Sequence, residues 1–183
     1  LDYAGLVADI GRDNWFDPVK NDLNKAAITS QSLPRLAMEL SDHLEALENP
    51  RCKVVAVDLD NTLWGGIIGE DGAKGIAIGG DYPGNAYESF QSFLANLRAS
   101  GVLLVMVSKN NLEDAQEAFA ENPLMPLQWH DFSSHRVNWI DKAANIRSAA
   151  TEINLGTDAF MFIDDSPMEC DLVRSYLPGV RVV

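Results

Sequence analysis

Three short, almost unbroken apolar runs constrain this chain more than any other feature: Val54-Val55-Ala56-Val57, Val102 to Val107, and Ala159 to Ile163. A half-buried strand alternates apolar and polar residues, so a run without alternation reads as a strand covered on both faces. Between the runs the apolar period becomes that of a helix. Residues 87–100 place Phe90, Phe93, Leu94 and Leu97 on one buried face and stop at Gly101, and further helices are predicted over about 112–121 and 141–153. Strand and helix in alternation, with the strands apolar throughout, specify a parallel sheet with helices on both faces: a three-layer, Rossmann-like α/β fold. A last short strand is expected at 180–183. Ligands of such sheets bind just beyond the carboxyl ends of the strands.

What stands at those ends is of one chemical kind. The first run leads into Asp58-Leu59-Asp60-Asn61-Thr62, the second into Ser108-Lys109-Asn110, the third into Asp164-Asp165. A parallel sheet brings these ends to one edge, so Asp58, Asp60, Asp164 and Asp165 converge. Their mutual repulsion is severe unless a hard cation sits among them, and Mg²⁺ is the expected one. Of Asp58 and Asp60, one carboxylate attacks phosphorus and the other protonates the leaving oxygen, then deprotonates water. Thr62 and Ser108 supply neutral donors for phosphoryl oxygens, and Lys142, on the helix at 141–153, cancels charge on nucleophile and phosphate. Asp-x-Asp alone is as readily a turn or a helix cap. Three suitable strand ends in chain order are much harder to dismiss.

The rest of the chain frames this core. Length fits one well-buried domain, with a lead-in and helix over 1–49 packed on a catalytic core over 50–183. In the lead-in, Trp15-Phe16-Asp17-Pro18 suggests a packed segment, and a helix from Ser32 to about Leu47 carries Leu33, Leu36, Leu40, Leu44 and Leu47 until Asn49-Pro50 ends it. The glycine-rich stretch over about 64–85 is expected to form a short flap, the only segment available to cover the site. Ser166-Pro167-Met168-Glu169 opens a helix with a capping box and proline at the first position.

A net charge of −13, from 27 acidic against 14 basic residues, excludes nucleic acid as a partner and disfavours anionic membranes. No apolar run reaches the roughly 18 residues of a membrane span, and the start of the chain lacks a signal-peptide layout. Two cysteines, Cys52 and Cys170, read as reduced thiols of a cytoplasmic protein.

Asp58-Leu59-Asp60-Asn61-Thr62 resembles the first motif of the haloacid dehalogenase (HAD) superfamily, Ser108 the second, Lys142 the third and Asp164-Asp165 the fourth. The resemblance covers 53–183. It implies Asp58 as nucleophile, Asp60 as general acid–base, and Mg²⁺ held by Asp58, the backbone carbonyl of Asp60 and the motif-four acid. An acid at position 60 looks like the phosphatase branch. A narrower likeness runs through Val57 to Gly66, including Trp64-Gly65-Gly66, then Ile68-Gly69-Glu70-Asp71-Gly72, Asp81-Tyr82-Pro83, Ser108-Lys109-Asn110-Asn111, Asn138-Trp139 and Phe162 to Pro167. These resemble the FkbH family of polyketide assembly. That likeness implies an enzyme that takes 1,3-bisphosphoglycerate, removes phosphate and loads a glyceryl or lactyl unit onto the phosphopantetheine arm of an acyl carrier protein. It adds Trp64, Gly65 and Asn110 to the substrate-binding set. With no initiator Met, the segment is expected to be excised from a larger polyketide synthase, its carrier in cis.

The family is thought to hold the acyl group on a cysteine. Cys52 precedes Asp58 by six residues of strand, roughly 20 Å away at the wrong end of the sheet. Cys170, early in the helix opened by Ser166, is the better candidate because a helix N-terminus lowers a thiol pKa, although the adjacent carboxylates oppose this and a small buried hydrophobe on the core face of that helix is the alternative. Direct transfer from acyl phosphate to the carrier thiol is the competing route. Lys109, Arg136 and Lys142 are the cations nearest the mouth for a second anionic group of the substrate. His43, His130 and His135 have no metal-ligand spacing, and the last two are expected on a loop. A plain HAD phosphatase acting on a small metabolite or a phosphoprotein is the alternative reading, and a non-catalytic docking domain a third.

Overall fold

The computed structural model describes residues 3–25, 27–48 and 52–183. They fall into two compact units, divided between residues 51 and 52. The first unit holds α1 (Tyr3–Ile10), α2 (Arg12–Trp15), α3 (Pro18–Asn24) and α4 (Leu33–Glu48). Trp15 is buried, its indole N–H donating to the Tyr3 hydroxyl at 2.7 Å. Asp17 caps α3 by accepting from Lys20 N, with Pro18 in the first turn. Ser32 stands before α4, but its hydroxyl donates to the Asn14 carbonyl. Asn49-Pro50 and the side chains of Leu44 and Leu47 lie outside the described residues.

The second unit is built on five parallel strands in the order β3-β2-β1-β4-β5: β1 (Val54–Val57), β2 (Leu103–Ser108), β3 (Ser134–Val137), β4 (Phe160–Ile163) and β5 (Arg181–Val182). Strand side chains alternate between faces, and here each face meets its own helical layer. Val55, Val57, Leu104 and Met106 pack with the residues of α6 (Gly84–Ala99) and α7 (Leu112–Glu121). Val54, Ala56, Val105, Val107, Phe160 and Phe162 pack with those of α8 (Lys142–Glu152) and α9 (Pro167–Tyr176). The expected three-layer α/β architecture is therefore present. Each fully buried apolar side chain of this kind is worth about 1.5–3 kcal/mol relative to exposure. Among the described residues no helix is long and apolar enough to cross a membrane.

Four details differ from the expectation. Ser134-His135-Arg136-Val137 forms edge strand β3, with His135 stacked on Trp129 at 4.3 Å. An edge strand covered on few sides need not be apolar, which hides it from hydrophobic patterning. In α6 it is Gln91, not Phe93, that faces inward: Phe93 is exposed, while the Gln91 amide donates to Leu63 O at 2.8 Å and accepts from Leu127 N at 3.3 Å. The segment after Trp64 is no flap. It pairs Gly65 with Ala77, forms α5 (Ile68–Asp71), and sends Ile68, Ala73, Ile76 and Ile78 into the core on the α6–α7 face. The α9 capping box is half made: Ser166 Oγ accepts from Glu169 N, but the Glu169 carboxylate goes to Lys109.

Candidate active site

Asp58 directly follows β1, its backbone N–H donating to Ile163 O, and β1 is the central strand. The chain then reverses sharply. Asn61 takes a left-handed backbone (φ 53°), which Asn tolerates better than most residues, and its side-chain oxygen accepts from Gly66 N at 2.9 Å. At Gly65 a Cβ would stand 2.7 Å from the Tyr87 ring. The turn thus returns the chain beneath Asp60.

Two clusters result. In the first, Lys142 Nζ lies 3.1 Å from Asp58 Oδ2 and 2.5 Å from Asp164 Oδ2, all three side chains being buried. Ser166 N donates to Asp164 Oδ1 at 2.9 Å. Lys142 owes its position to the start of α8: Asp141 caps the helix through Ala144 N, and the Asn138 and Asn145 amides bond reciprocally at 3.0 and 3.2 Å. Carboxylate oxygens of Asp58, Asp164 and Asp165 come within 4.8 Å of one another. Burial raises the Asp58 pKa, Lys142 and the nearby Ser108 hydroxyl pull it down, and Asp164 adds to the rise. Burial pushes the Lys142 pKa down, but Asp58 and Asp164 together carry it above its ordinary value. The lysine is therefore charged. Burial, then Asp164, raise Asp165 as well.

Three carboxylates against one ammonium leave two negative charges unbalanced. Asp58 Oδ1 and Thr62 Oγ1 are also buried without a hydrogen-bond partner, a costly state unless the position is kept for a ligand. An all-oxygen donor set with that charge fits a hard divalent cation.

The second cluster surrounds Asp60. Its Oδ1 accepts from Trp64 Nε1 at 2.9 Å and from Ile68 N at 3.1 Å, and its Oδ2 accepts from Asn110 Nδ2 at 3.0 Å. Asn110 also reaches Ser108 Oγ at 3.2 Å. The Asp60 carboxylate lies outside the group of three acids that gather for a cation, so only its backbone carbonyl is left for a metal role.

Asp58, Asp60, Thr62, Ser108, Asn110, Lys142, Asp164 and Asp165 thus share the carboxyl edge of the sheet. Others named from the sequence do not serve as expected. Trp64 is fully buried and faces Asp60 and Phe119, so it is no substrate wall. Both backbone groups of Gly65 are taken by Ala77. Arg136 pairs with Glu152 at 2.6 Å and Ser148 at 3.2 Å, in the half of α8 remote from Lys142. Lys109 is at the edge but bound to Glu169 at 2.6 Å. Cys170 is buried with its thiol toward the carbonyls of Asp164 and Val183, and burial, then Asp164, push its pKa up, opposite to the expected helix-terminus effect. Cys52 lies before β1, far from the site. Sequence reasoning missed the Asn138–Asn145 pair and the second use of Glu169. The only signal was Asn138 beside Trp139 in the motif preceding Lys142. A cleft of about 410 Å³ between α8 and α9 has Lys142 and Glu169 in its wall, with Arg147, Leu172 and Tyr176 beyond.

The structure is a three-layer, Rossmann-like α/β fold with an acidic site at the carboxyl ends of its parallel strands. No protein-family model matches the chain and no curated protein matches it. Among solved structures it is similar to the N-terminal part of protein BF1531 from Bacteroides fragilis, which contains a phosphatase domain and is complexed with Mg. Identity is 36% and the TM-score 0.83, over 99% of this chain and 48% of that one. This chain therefore spans about half the length of that relative. It is also similar in fold to the HAD family enzyme bt-2542 from Bacteroides thetaiotaomicron, at 12% identity and TM-score 0.51, over 73% of this chain and 93% of that one. The magnesium complex of the same enzyme gives a TM-score of 0.50 at 10% identity, with the same coverage.

Proposed function

We propose that this chain is a Mg²⁺-dependent HAD phosphatase working through an aspartyl phosphate on Asp58. The observation that carries the reading is Asp58 itself. It is buried, tied through Oδ2 to Lys142, and unpartnered at Oδ1 where two further carboxylates gather. Asp58, Asp164, Asp165 and the Asp60 carbonyl would hold the ion, which when bound neutralises charge on the carboxylates and the phosphoryl group. In the first half-reaction an Asp58 oxygen bonds to phosphorus while the bond to the leaving oxygen breaks. The leaving oxygen takes the electron pair and the proton carried by Asp60. In the second, water yields a proton to the Asp60 carboxylate and attacks the same phosphorus, releasing inorganic phosphate and restoring Asp58. Lys142 opposes the charge on Asp58 throughout, and the Thr62 and Ser108 hydroxyls serve the phosphoryl oxygens.

The narrower reading, from the FkbH resemblance of residues 57–72 and 162–167, is removal of phosphate from 1,3-bisphosphoglycerate and loading of its glyceryl unit onto an acyl carrier protein. The burial of Cys170 favours direct attack of the carrier thiolate on the acyl carbon, with phosphate as the leaving group, over a thioester on this chain. Carrier proteins are usually acidic, as this chain is, so a carrier in cis would gain from effective concentration what electrostatic steering does not supply.

With Mg²⁺ and 4-nitrophenyl phosphate, Asp58→Asn should lower turnover at least about a thousand-fold. Retained activity would overturn the nucleophile assignment. Incubation with 1,3-bisphosphoglycerate and a carrier protein then separates the two levels. A glyceryl mass gain on the carrier supports loading; phosphate release without an adduct leaves a plain phosphatase.

A further inference from the structure

Asp60 must both lose and regain a proton in the reaction just described, and its two oxygens are not equivalent. Oδ1 accepts from two donors, the Trp64 indole at 2.9 Å and the Ile68 amide at 3.1 Å. Oδ2 accepts from one, the Asn110 amide at 3.0 Å. A protonated carboxyl group has one carbonyl-like oxygen that accepts and one hydroxyl that donates. Two donors already crowd Oδ1, so a proton there would collide with one of them. Oδ2 keeps a lone pair free.

The geometry points to Trp64 as a positioning residue that fixes Asp60 with Oδ2 as its proton-carrying oxygen. Resting on the phosphatase reading above, it deepens that reading by naming the atom that protonates the leaving group. Trp64 is suited to the part. Its side chain is fully buried and packs edge-on against Phe119, with ring centroids 5.7 Å apart and planes at 73°. The indole therefore has little freedom to swing, and its N–H is a donor that never accepts. Ile68 N, its companion, sits at the start of α5, whose Ile68 side chain is anchored in the same core. The segment packed beneath the site thus orients the acid. In the chemical step the P–O bond breaks, its electron pair passes to the leaving oxygen, and that oxygen takes the Oδ2 proton. Without the indole N–H the carboxyl group is free to rotate its proton onto Oδ1, away from the leaving oxygen.

The test is Trp64→Phe, which keeps an aromatic ring in the core and deletes the N–H together with part of the indole, a packing loss that by itself should weigh equally on both substrates used below. Phenyl phosphate and 4-nitrophenyl phosphate have nearly the same shape, but phenolate needs protonation far more than 4-nitrophenolate does. On phenyl phosphate kcat/KM, which ends at phosphoryl transfer to Asp58, should fall roughly ten-fold or more, and on 4-nitrophenyl phosphate less than about two-fold. In an Asp60→Asn background the same substitution should add no further leaving-group-selective loss. Equal loss on both substrates, or an effect undiminished in that background, would make Trp64 merely structural and overturn the inference. If Asp60→Asn alone showed no leaving-group selectivity, Asp60 would not be the acid, and the mechanism itself would fall along with the role given to Trp64.

Discussion

Two halves of the same sheet edge treat their carboxylates in opposite ways. Around Asp58 the acids are crowded and under-satisfied, with three carboxylates, one buried ammonium and an oxygen without a partner. Around Asp60, two residues along, one carboxylate is met by three neutral donors and, among the described residues, pairs with no cation. Crowding suits groups that bind a cation and attack phosphorus, because the strain is relieved when ligands arrive. Satisfaction suits a group that must point one way while it passes a proton. The division of labour proposed for Asp58 and Asp60 thus corresponds to different surroundings of two residues of the same type.

The crowded half breaks most severely through Lys142. Lys142→Met keeps much of the side-chain volume but leaves Asp58 and Asp164 facing each other, buried and without their ammonium. Removing one partner of a buried charge network costs about 3–5 kcal/mol, and that loss is expected in urea unfolding at neutral pH with chelator present. Mg²⁺ should restore more stability to the variant than it adds to the wild type. An unchanged midpoint in chelator would mean that the lysine does not hold this cluster together.

A smaller effect comes from Asp58 itself. Burial raises the Asp58 pKa above its ordinary 3.8, so the folded chain holds that proton more tightly than the unfolded one. The stability this supplies is complete below the ordinary value and is lost as pH rises through the raised one. Metal-free Asp58→Asn should therefore melt above the wild type at pH 7, by on the order of 1 kcal/mol, the usual size of a function–stability trade. The gap should close as pH falls toward 3.8. Thermal melts at several pH values check the sign; a gap widening toward acid would contradict it.

How much of this could be read in the residues follows from what each position does. Strands β1, β2 and β4 are covered on both faces, so their composition announces them, and with them Asp58, Ser108 and Asp164 at their ends. Strand β3 has one neighbour and carries His135 and Arg136, so nothing apolar marked it. The segment after Trp64 hides its core role because Ile68, Ile76 and Ile78 stand among glycines that read as a loop. Trp64 looked like a pocket wall, since only three dimensions show its indole turned to Asp60. For Cys170 both the helix terminus and a buried place on the core face of that helix were legible, and in the structure burial prevails.

The smallest expected effect lies between the two halves, at Lys109 and Glu169. Lys109 follows Ser108 and would serve an anionic substrate, yet it is bound at 2.6 Å to Glu169, with its side chain 36% exposed and that of Glu169 10%. A pair this open contributes under about 1 kcal/mol to stability, so Glu169→Gln should scarcely move the melting temperature. It should instead release Lys109 from a competing carboxylate and lower KM for an anionic phosphate ester about two- to three-fold at low salt, with kcat unchanged. Added salt should erase the gain, because screening weakens the freed lysine and the original pair alike. Were KM indifferent to the substitution at every ionic strength, Lys109 would be a strut between β2 and α9, and substrate recognition would rest on the two clusters alone.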